Sequence, residues 1–382
     1  MEFRDLKQQY KVLKDDIDKN IAKVISDASF ISGIYVEELE NQLAEYVGVK
    51  HCISCANGTD AISICLMALE IGPGDAVFVP DFTFFSTAEC PAAAGAVPFF
   101  VDVKEDTFNI DPIALERTIR KVVRETDYKP KAVIAVDLFG QPAEYEYIRR
   151  ICNQYNMYLI EDGAQGFGGT IISDCNVIKR ACSFGDISTT SFFPAKPLGC
   201  YGDGGAIFTD DDEIADLIRS LSVHGKSTES KYDNIRIGMN SRLDTIQAAV
   251  LLVKYKAFRE YELEDVNNVA MWYTNELKDT GIETPYVNKG YYSAWAQYTI
   301  KTPCSKDREL LQKYLKEQGI PTMIYYNKAL RNQKAFENIL EIQTENSVTE
   351  SLCGRVLSLP IHPYMSRSDV KMVSDLIKCK MG

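Results

Sequence analysis

The chain has 382 residues, enough for two domains or for one large domain with a smaller companion. Hydrophobic residues make up 46% and charged residues 25%, values typical of a globular protein, which exclude wholesale disorder. Because 54 acidic residues outnumber 42 basic ones, the net charge of −12 argues against non-specific nucleic-acid binding. An anionic substrate would therefore need a local basic or amide-rich pocket.

The sequence predicts a cytoplasmic protein that does not enter a membrane. No apolar run reaches 18 residues, and the first ten residues are too charged for a signal peptide. Eleven scattered cysteines, an odd number, fit free thiols in a reducing compartment. Cys52 and Cys55 have CxxC spacing, but no second pair completes a zinc site, so we interpret them as structural.

Helical and strand-like patterns alternate along most of the chain, which is typical of an α/β fold. Residues 36–46 have apolar side chains at helical intervals, and residues 61–69 form a second helical pattern after a turn. Where a strand follows a helix, we expect parallel pairing with a right-handed crossover. The predicted strands are residues 52–55, 76–80, 132–136, 158–160 and 206–209, the last continuing the same pattern.

The remainder of the chain predicts a second, smaller unit. Residues 243–262 form a long helix-like run without a strand partner, which we expect to bridge to it. A strand pattern at 294–300 and a helical pattern at 309–318 indicate a small α+β unit. We therefore predict a large domain over residues 1–255 and a small C-terminal domain over residues 256–382.

An unusual lysine lies at position 196. Residues 191–199 read Ser-Phe-Phe-Pro-Ala-Lys-Pro-Leu-Gly, so the lysine stands between two prolines in an apolar loop. Burial of an ammonium group is costly unless the group is paired or neutralised. A desolvated lysine loses its proton readily and forms a Schiff base with an aldehyde, whereas a surface lysine points to water. This segment alone leaves both interpretations open.

A candidate phosphate site lies at residues 57–61, Asn-Gly-Thr-Asp-Ala. Gly58 followed by the hydroxyl of Thr59 at a helix start lets backbone N–H groups close on an anion, assisted by the helix dipole. The alternative is a simple N-cap, which Thr59 or Asp60 would provide. Taken singly, the cap is the better interpretation.

A candidate ring partner follows the strand at 158–160. Asp162 stands where parallel sheets place their ligands, and its carboxylate suits a protonated pyridine nitrogen. Its alternative role is to cap the next helix. Residues 81–87 follow another predicted strand and contain three phenylalanines, one of which could stack on a heteroaromatic ring while the other two pack in the core.

Together these features supply a phosphate cradle, a pyridinium partner, a stacking aromatic and a Schiff-base lysine, the set that pyridoxal 5'-phosphate (PLP) requires. On these residues the chain resembles the DegT-type sugar aminotransferases, PLP enzymes of fold type I, from Asp5 to Pro363. The resemblance implies an α/β fold with a mostly parallel seven-stranded sheet flanked by helices, plus a small α+β C-terminal domain. It also implies transfer of an amino group from glutamate to a keto group of a nucleotide-linked sugar.

The resemblance assigns roles to individual residues. Lys196 would be the Schiff-base lysine and proton shuttle, Asp162 the pyridinium partner, and Gln165 a contact near the ring hydroxyl. Asn240 and Arg242 would reach into a neighbouring subunit, where they would touch the phosphate and the sugar or its carboxylate, which implies a homodimer with shared sites. The remaining predicted cofactor contacts are Gly58, Thr59 and Ser191 at the phosphate and Phe84 on the ring.

Residues 191–206 resemble most closely the members acting on UDP-2-acetamido-2-deoxy-ribo-hexuluronate, a 3-keto uronate used for surface polysaccharide and lipopolysaccharide. Tyr325 departs from this subgroup, since it replaces a histidine that helps to bind the uronate carboxylate, whereas Tyr326 matches. A tyrosine donates a hydrogen bond but is never cationic. Gly163, in place of the usual alanine, should leave Asp162 and Gln165 in position.

Three alternatives remain. The first is the same chemistry on a 4-keto sugar or a neutral 3-keto deoxysugar. The second, a sugar dehydratase of the same fold, has a histidine in place of the lysine, and Lys196 speaks against it. The third is a non-catalytic sensor or regulator, for which we would expect the lysine or the aspartate to be lost.

Overall fold

A computed structural model of the protein describes residues 1–172, 177–227, 232–278, 280–339 and 345–381. The helices there are α1 Leu6–Asp27, α2 Ile34–Val47, α3 Gly58–Ala68, α4 Ser86–Ala93, α5 Pro112–Glu125, α6 Tyr145–Tyr155, α7 Asp212–Leu221, α8 Thr245–Ala257, α9 Leu263–Glu276, α10 Ser305–Glu317, α11 Ser347–Arg355 and α12 Arg367–Met381. The strands are β1 His51–Cys55, β2 Asp75–Pro80, β3 Val97–Val101, β4 Lys129–Val136, β5 Tyr158–Asp162, β6 Thr170–Ile172, β7 Ile178–Arg180, β8 Ile187–Ser191, β9 Gly205–Thr209, β10 Tyr291–Tyr292, β11 Tyr298–Lys301 and β12 Val356–Leu359.

A seven-stranded sheet forms the centre of the molecule, in the order β1-β9-β8-β5-β4-β2-β3. Strands β3, β2, β4, β5 and β8 are parallel, which confirms the parallel pairing predicted for 132–136 and 158–160, whereas β3 and β8 were not among the predicted strands. The prediction that residues 206–209 continue the parallel pattern is wrong, because β9 is antiparallel to both β8 and β1. The connection from β8 to β9 is a loop without a crossover helix, so the chain returns in the opposite direction.

Helices cover both faces of this sheet because its strands are apolar on both sides. Helices α3, α4 and α7 pack on one face, and α2, α5, α6 and α8 on the other. Cys52 and Cys55, three positions apart in β1, fall into the two opposite core clusters and are free thiols, which agrees with their interpretation as structural. The sheet is thus buried on both faces, and ligands reach it at its edges.

The C-terminal part of the chain has its own core. Helices α9, α10 and α12 pack around the antiparallel pair β11 and β12. The predicted strand at 294–300 begins only at Tyr298, and the predicted helix at 309–318 is α10, which begins at Ser305. The helix-like run from 243 is α8, continued by a π-helical turn, Phe258–Glu262, into α9.

The elements that were not predicted include the long first helix α1, which packs on α8, and a small sheet of β10, β6 and β7. No helix in the described part of the chain combines the length and apolar character needed to cross a bilayer. Within the same residues, no three His, Cys, Asp or Glu side chains are grouped so that they could hold a metal ion.

Candidate active site

The predicted functional residues gather at one edge of the central sheet. Strands β2, β5 and β8 are linked through the parallel ladder and end at Pro80, Asp162 and Ser191. Because parallel strands end at the same edge, the segments that follow them meet there. The loop carrying Lys196 continues from β8, so the fold brings this lysine to the same place.

Lys196 lies in a tight loop that its neighbours enclose. Its N–H donates to the carbonyl oxygen of Phe193 at 2.9 Å. A Cβ at Gly199 would lie 2.6 Å from that oxygen, so only glycine allows the loop to close. Enclosure lowers the pKa of the Lys196 amino group below the ordinary value for lysine, the carboxylate of Asp162 opposes this, and the charge of Arg4 adds to it. Lys196 is thus not an ordinary surface lysine.

Asp162 is the buried acid that faces this lysine. Its side chain is 5% exposed and accepts hydrogen bonds from the Thr87 hydroxyl at 3.0 Å and the Ala164 N–H at 3.2 Å. Burial raises the pKa of Asp162, while the charge of Lys196 and both hydrogen bonds favour the ionised form. The bond to Ala164 satisfies a turn that follows β5, where the alternative interpretation expected a helix to be capped. The role of Asp162 as partner of a ring nitrogen stays a prediction.

The N-terminus of α3 forms the predicted phosphate cradle. The side chain of Asn57 caps the helix by accepting from the N–H of Asp60 at 2.8 Å, so neither Thr59 nor Asp60 is the cap. A Cβ at Gly58 would lie 2.8 Å from the Cβ of Ser191, which leaves no room for a side chain. The first N–H groups of a helix lack helical partners and bind anions, so this close contact places a donor set beside Ser191.

The three phenylalanines after β2 have different surroundings. Phe82 is 1% exposed and packs edge-on against Tyr326, with ring centroids 5.9 Å apart. Phe85 packs against Phe336 at 5.2 Å. Phe84 is 53% exposed, so its ring is the one available to a ligand. Stacking of Phe84 on the cofactor stays a prediction.

Gln165 joins the sheet edge to the segment that carries Tyr326. Its side-chain oxygen accepts from the N–H of Phe139 at 2.8 Å, and this bond orients the amide. Its amide nitrogen donates to the hydroxyl of Tyr326 at 3.4 Å. Tyr325, the next residue, is half-buried with its ring edge-on to Phe3 at 6.5 Å. The structure thereby places both tyrosines beside the sheet edge.

Asn240 and Arg242 stand on either side of a residue that contacts the chain just after β1. Both are exposed, while Ser241 between them is buried and accepts from the N–H of Ala56, two positions before Gly58, at 3.1 Å. Arg242 lines an open pocket of about 990 Å³ with His224, Lys226 and Arg236. The contacts of Asn240 with the phosphate and of Arg242 with the sugar stay predictions.

Two residues that contact Asp162 or Lys196 were not predicted from the sequence. Thr87 lies in the segment after β2 that contains the three phenylalanines, but only the fold shows its hydrogen bond to Asp162. Arg4 donates to the carbonyl oxygen of Lys196 at 3.2 Å, across 192 positions of the chain. The position of the Thr87 hydroxyl at the start of α4 was a weak indication that it could bind a nearby polar group. Nothing in the residues around Arg4 indicated its contact with Lys196.

The donor set at this edge fits a phosphorylated pyridine aldehyde. A lysine with a lowered pKa suits the aldehyde, a buried carboxylate suits the ring nitrogen, and a side-chain-free helix N-terminus suits the phosphate. These residues would hold PLP, and the individual contacts remain predictions.

Comparison with known proteins agrees with this chemistry. The DegT/DnrJ/EryC1/StrS aminotransferase family matches residues 11–378. A UDP-2-acetamido-2-deoxy-3-oxo-D-glucuronate aminotransferase of Pseudomonas aeruginosa is 44% identical over 373 residues, 98% of each chain. A pleiotropic regulatory protein of Geobacillus stearothermophilus is 40% identical over 98% of this chain and 96% of its own.

Solved structures give the same result. A DegT DnrJ EryC1 StrS aminotransferase from Brucella abortus superposes with a TM-score of 0.95 at 45% identity over 100% of both chains. NtdA from Bacillus subtilis, with PMP bound as its cofactor, superposes with a TM-score of 0.84 at 31% identity over 96% of this chain and 82% of its own. The chain belongs to the DegT/DnrJ/EryC1/StrS aminotransferase family and is a PLP-dependent aminotransferase.

Proposed function

We propose that this enzyme transfers the amino group of glutamate to the 3-keto group of UDP-2-acetamido-3-keto-glucuronate or a similar nucleotide sugar. The enzyme would act in the cytoplasm, and its product would serve the synthesis of surface polysaccharide. The proposal further includes a homodimer with shared active sites, and a large domain of residues 1–255 followed by a small one of residues 256–382. The enclosed Lys196 facing the buried Asp162 is the observation that carries the amino-transfer chemistry.

When bound, PLP carries the amino group between the two substrates and withdraws electrons from the reacting carbon. Lys196 would hold the aldehyde of PLP, and its free amine would take a proton from the substrate carbon and return it. Asp162, held by Thr87 and Ala164, would favour the protonated ring nitrogen through a charge-assisted hydrogen bond. The prolines on either side of Lys196 limit where the loop can move.

The choice of sugar rests on the Pseudomonas relative and on Arg242. The 44% identity over the whole length supports a UDP-linked 3-keto uronate. Arg242 is exposed and cationic, so it is suited to a carboxylate or a diphosphate. Tyr325, in place of a histidine, favours the runner-up substrate, a neutral 3-keto sugar, because a neutral phenol cannot form an ion pair with a uronate.

The homodimer proposal rests on the surface around Arg242. Ile235 is 61% exposed and Ile237 is 87% exposed, and both line the same open pocket as Arg242. Apolar side chains exposed together beside a candidate substrate residue suit an interface that a second copy covers. In that arrangement Asn240 and Arg242 would complete the partner's site.

Half-reactions test the proposal. The enzyme is loaded with glutamate until the visible absorbance of the lysine-bound cofactor disappears, and excess glutamate is removed. We expect UDP-2-acetamido-3-keto-glucuronate to restore the absorbance, with formation of the 3-amino sugar seen by mass spectrometry. Restoration by a 4-keto nucleotide sugar alone would overturn the substrate assignment, and failure of glutamate to bleach the enzyme would overturn the donor.

A further inference from the structure

Arg4 contacts the catalytic loop from the opposite end of the chain. Its Nη2 donates a hydrogen bond of 3.2 Å to the carbonyl oxygen of Lys196 itself. Its Nη1 is buried and has no hydrogen-bond partner among the described residues. The guanidinium of Arg4 is therefore only partly paired, and the hydrogen bond that the structure shows goes to the backbone of Lys196.

Arg4 carries a positive charge beside Lys196. Burial lowers its pKa to about 10, so it is still protonated at neutral pH. The carboxylate of Glu262, which accepts from the amide of Gln9 at 2.9 and 3.1 Å and from the hydroxyl of Tyr364, favours this charged form. The charge of Arg4 is one of the causes that lower the pKa of the Lys196 amine.

A cavity of about 20 Å³, the volume of roughly one water molecule, lies between Arg4 and Lys196. The carboxylate of Asp162 favours the protonated form of the lysine amine, against the effect of Arg4. Burial lowers the pKa of His362, which lines the cavity, to about 4, so this histidine is neutral near pH 7. The other titratable groups around the cavity are Asp5, Glu262 and Tyr364.

We propose that Arg4 is a positioning residue for Lys196: its hydrogen bond holds the loop, and its charge keeps the released amine unprotonated and ready to accept the proton of the substrate carbon. The physical basis is that a like charge nearby disfavours the ammonium form. The inference rests on the proposed role of Lys196 as the proton carrier. It assigns to a residue of the N-terminal segment a part in the chemistry.

The test measures the protonation of Lys196 directly. The full chain, freed of cofactor, is acetylated with limiting acetic anhydride at a series of pH values, and labelling of Lys196 is quantified by mass spectrometry. Arg4→Gln keeps an N–H donor for the loop carbonyl but removes the charge. We expect the midpoint of labelling to rise by about one pH unit in Arg4→Gln, while Arg4→Lys, which keeps the charge, stays within about 0.3 unit of the wild type.

Arg308→Gln is the matched control. Arg308 is buried and donates to the carbonyl oxygen of Cys353 at 2.7 Å, so its replacement removes a comparable charge and bond away from Lys196. We expect no change in the Lys196 midpoint in this variant. The acidic limb of the pH profile of kcat should move upward with the labelling midpoint in Arg4→Gln alone.

The outcomes separate this inference from the proposed function. Added PLP should protect Lys196 from acetylation in the wild type, and absence of protection would overturn the proposed role of Lys196. Intact protection with the same midpoint in wild type and Arg4→Gln would overturn the role of Arg4 alone. An equal shift in Arg308→Gln would also refute it, because the effect would then be a general loss of structure.

Discussion

The sheet edge around Lys196 and the loop of residues 232–242 differ in how far their side chains are buried and hydrogen-bonded within one chain. At the edge, Asp162 and Gln165 are each 5% exposed, and two hydrogen bonds from the same chain hold the side chain of Asp162. In the loop, Arg242 is exposed and Ile237 is 87% exposed. Asp162 and Gln165 are thus held inside one chain, whereas Asn240 and Arg242, the contacts predicted to reach a second subunit, face outward.

This difference has a physical reason. A carboxylate that must hold a ring nitrogen needs a dry, fixed environment, which the end of a central strand supplies. In the proposed homodimer, a residue that meets a large, polar nucleotide sugar would instead come from the second copy. The comparison leads to three experiments, from the largest expected effect to the smallest.

The first experiment asks whether the outward loop completes a partner's site. We expect Lys196→Ala to lower kcat about a thousand-fold and Arg242→Ala to lower kcat/KM about a hundred-fold. When the two inactive variants are co-expressed and form mixed dimers, each mixed dimer has one site with both residues intact. Random pairing makes about half of the dimers mixed, and one of the two sites in each mixed dimer is intact. We therefore expect about a quarter of the wild-type activity to return.

The separately purified variants, mixed without subunit exchange, are the control and should stay inactive. Return of less than a few per cent of the activity in verified mixed dimers would mean that each site uses its own Arg242.

The second experiment removes the charge of Asp162, the buried carboxylate at the sheet edge. Asp162→Asn preserves the size of the side chain and removes its charge, so the ring nitrogen is no longer held in its protonated form. We expect kcat to fall about a hundred-fold with little change in KM, measured by steady-state kinetics.

Asp81→Asn is the matched control, because Asp81 is also buried at a strand end but pairs with Arg331. It should lower the melting temperature and leave kcat within a few-fold. A kcat for Asp162→Asn within two-fold of the wild type would contradict the assigned role.

The third experiment tests the cradle at the start of α3. In Gly58→Ala the added Cβ would lie 2.8 Å from the Cβ of Ser191, so the helix start must move away from the strand. We expect about ten-fold weaker PLP binding in a fluorescence titration, about 1.4 kcal/mol. Gly354→Ala, whose added Cβ meets only the Cβ of Ser305 at 3.6 Å, should bind PLP like the wild type. Equal affinity in both variants would show that the contact between Gly58 and Ser191 does not shape the cradle.

The sequence predicts five of the seven strands of the central sheet and the α/β class, because both depend on local patterns. Apolar runs followed by polar residues mark strand ends, and this placed Asp162 and the segment after β2 at a common edge. The direction of β9 was wrong, since nothing within residues 206–209 records that the preceding loop lacks a helix. Thr87 and Arg4 were missed because their contacts join distant segments, and only the fold brings those together.

The amide of Gln165 has a consequence for how sugar preference changes within such an enzyme. One end of the amide is held by the backbone of Phe139 at the sheet edge, and the other donates to the hydroxyl of Tyr326. A substitution at Tyr325 that suits a new sugar would therefore disturb the adjacent Tyr326, whose hydroxyl accepts the hydrogen bond from Gln165. Because Tyr325 is a predicted sugar contact, we expect sugar selection and catalytic rate to be coupled here, so variants at position 325 should be selected by turnover and not by affinity alone.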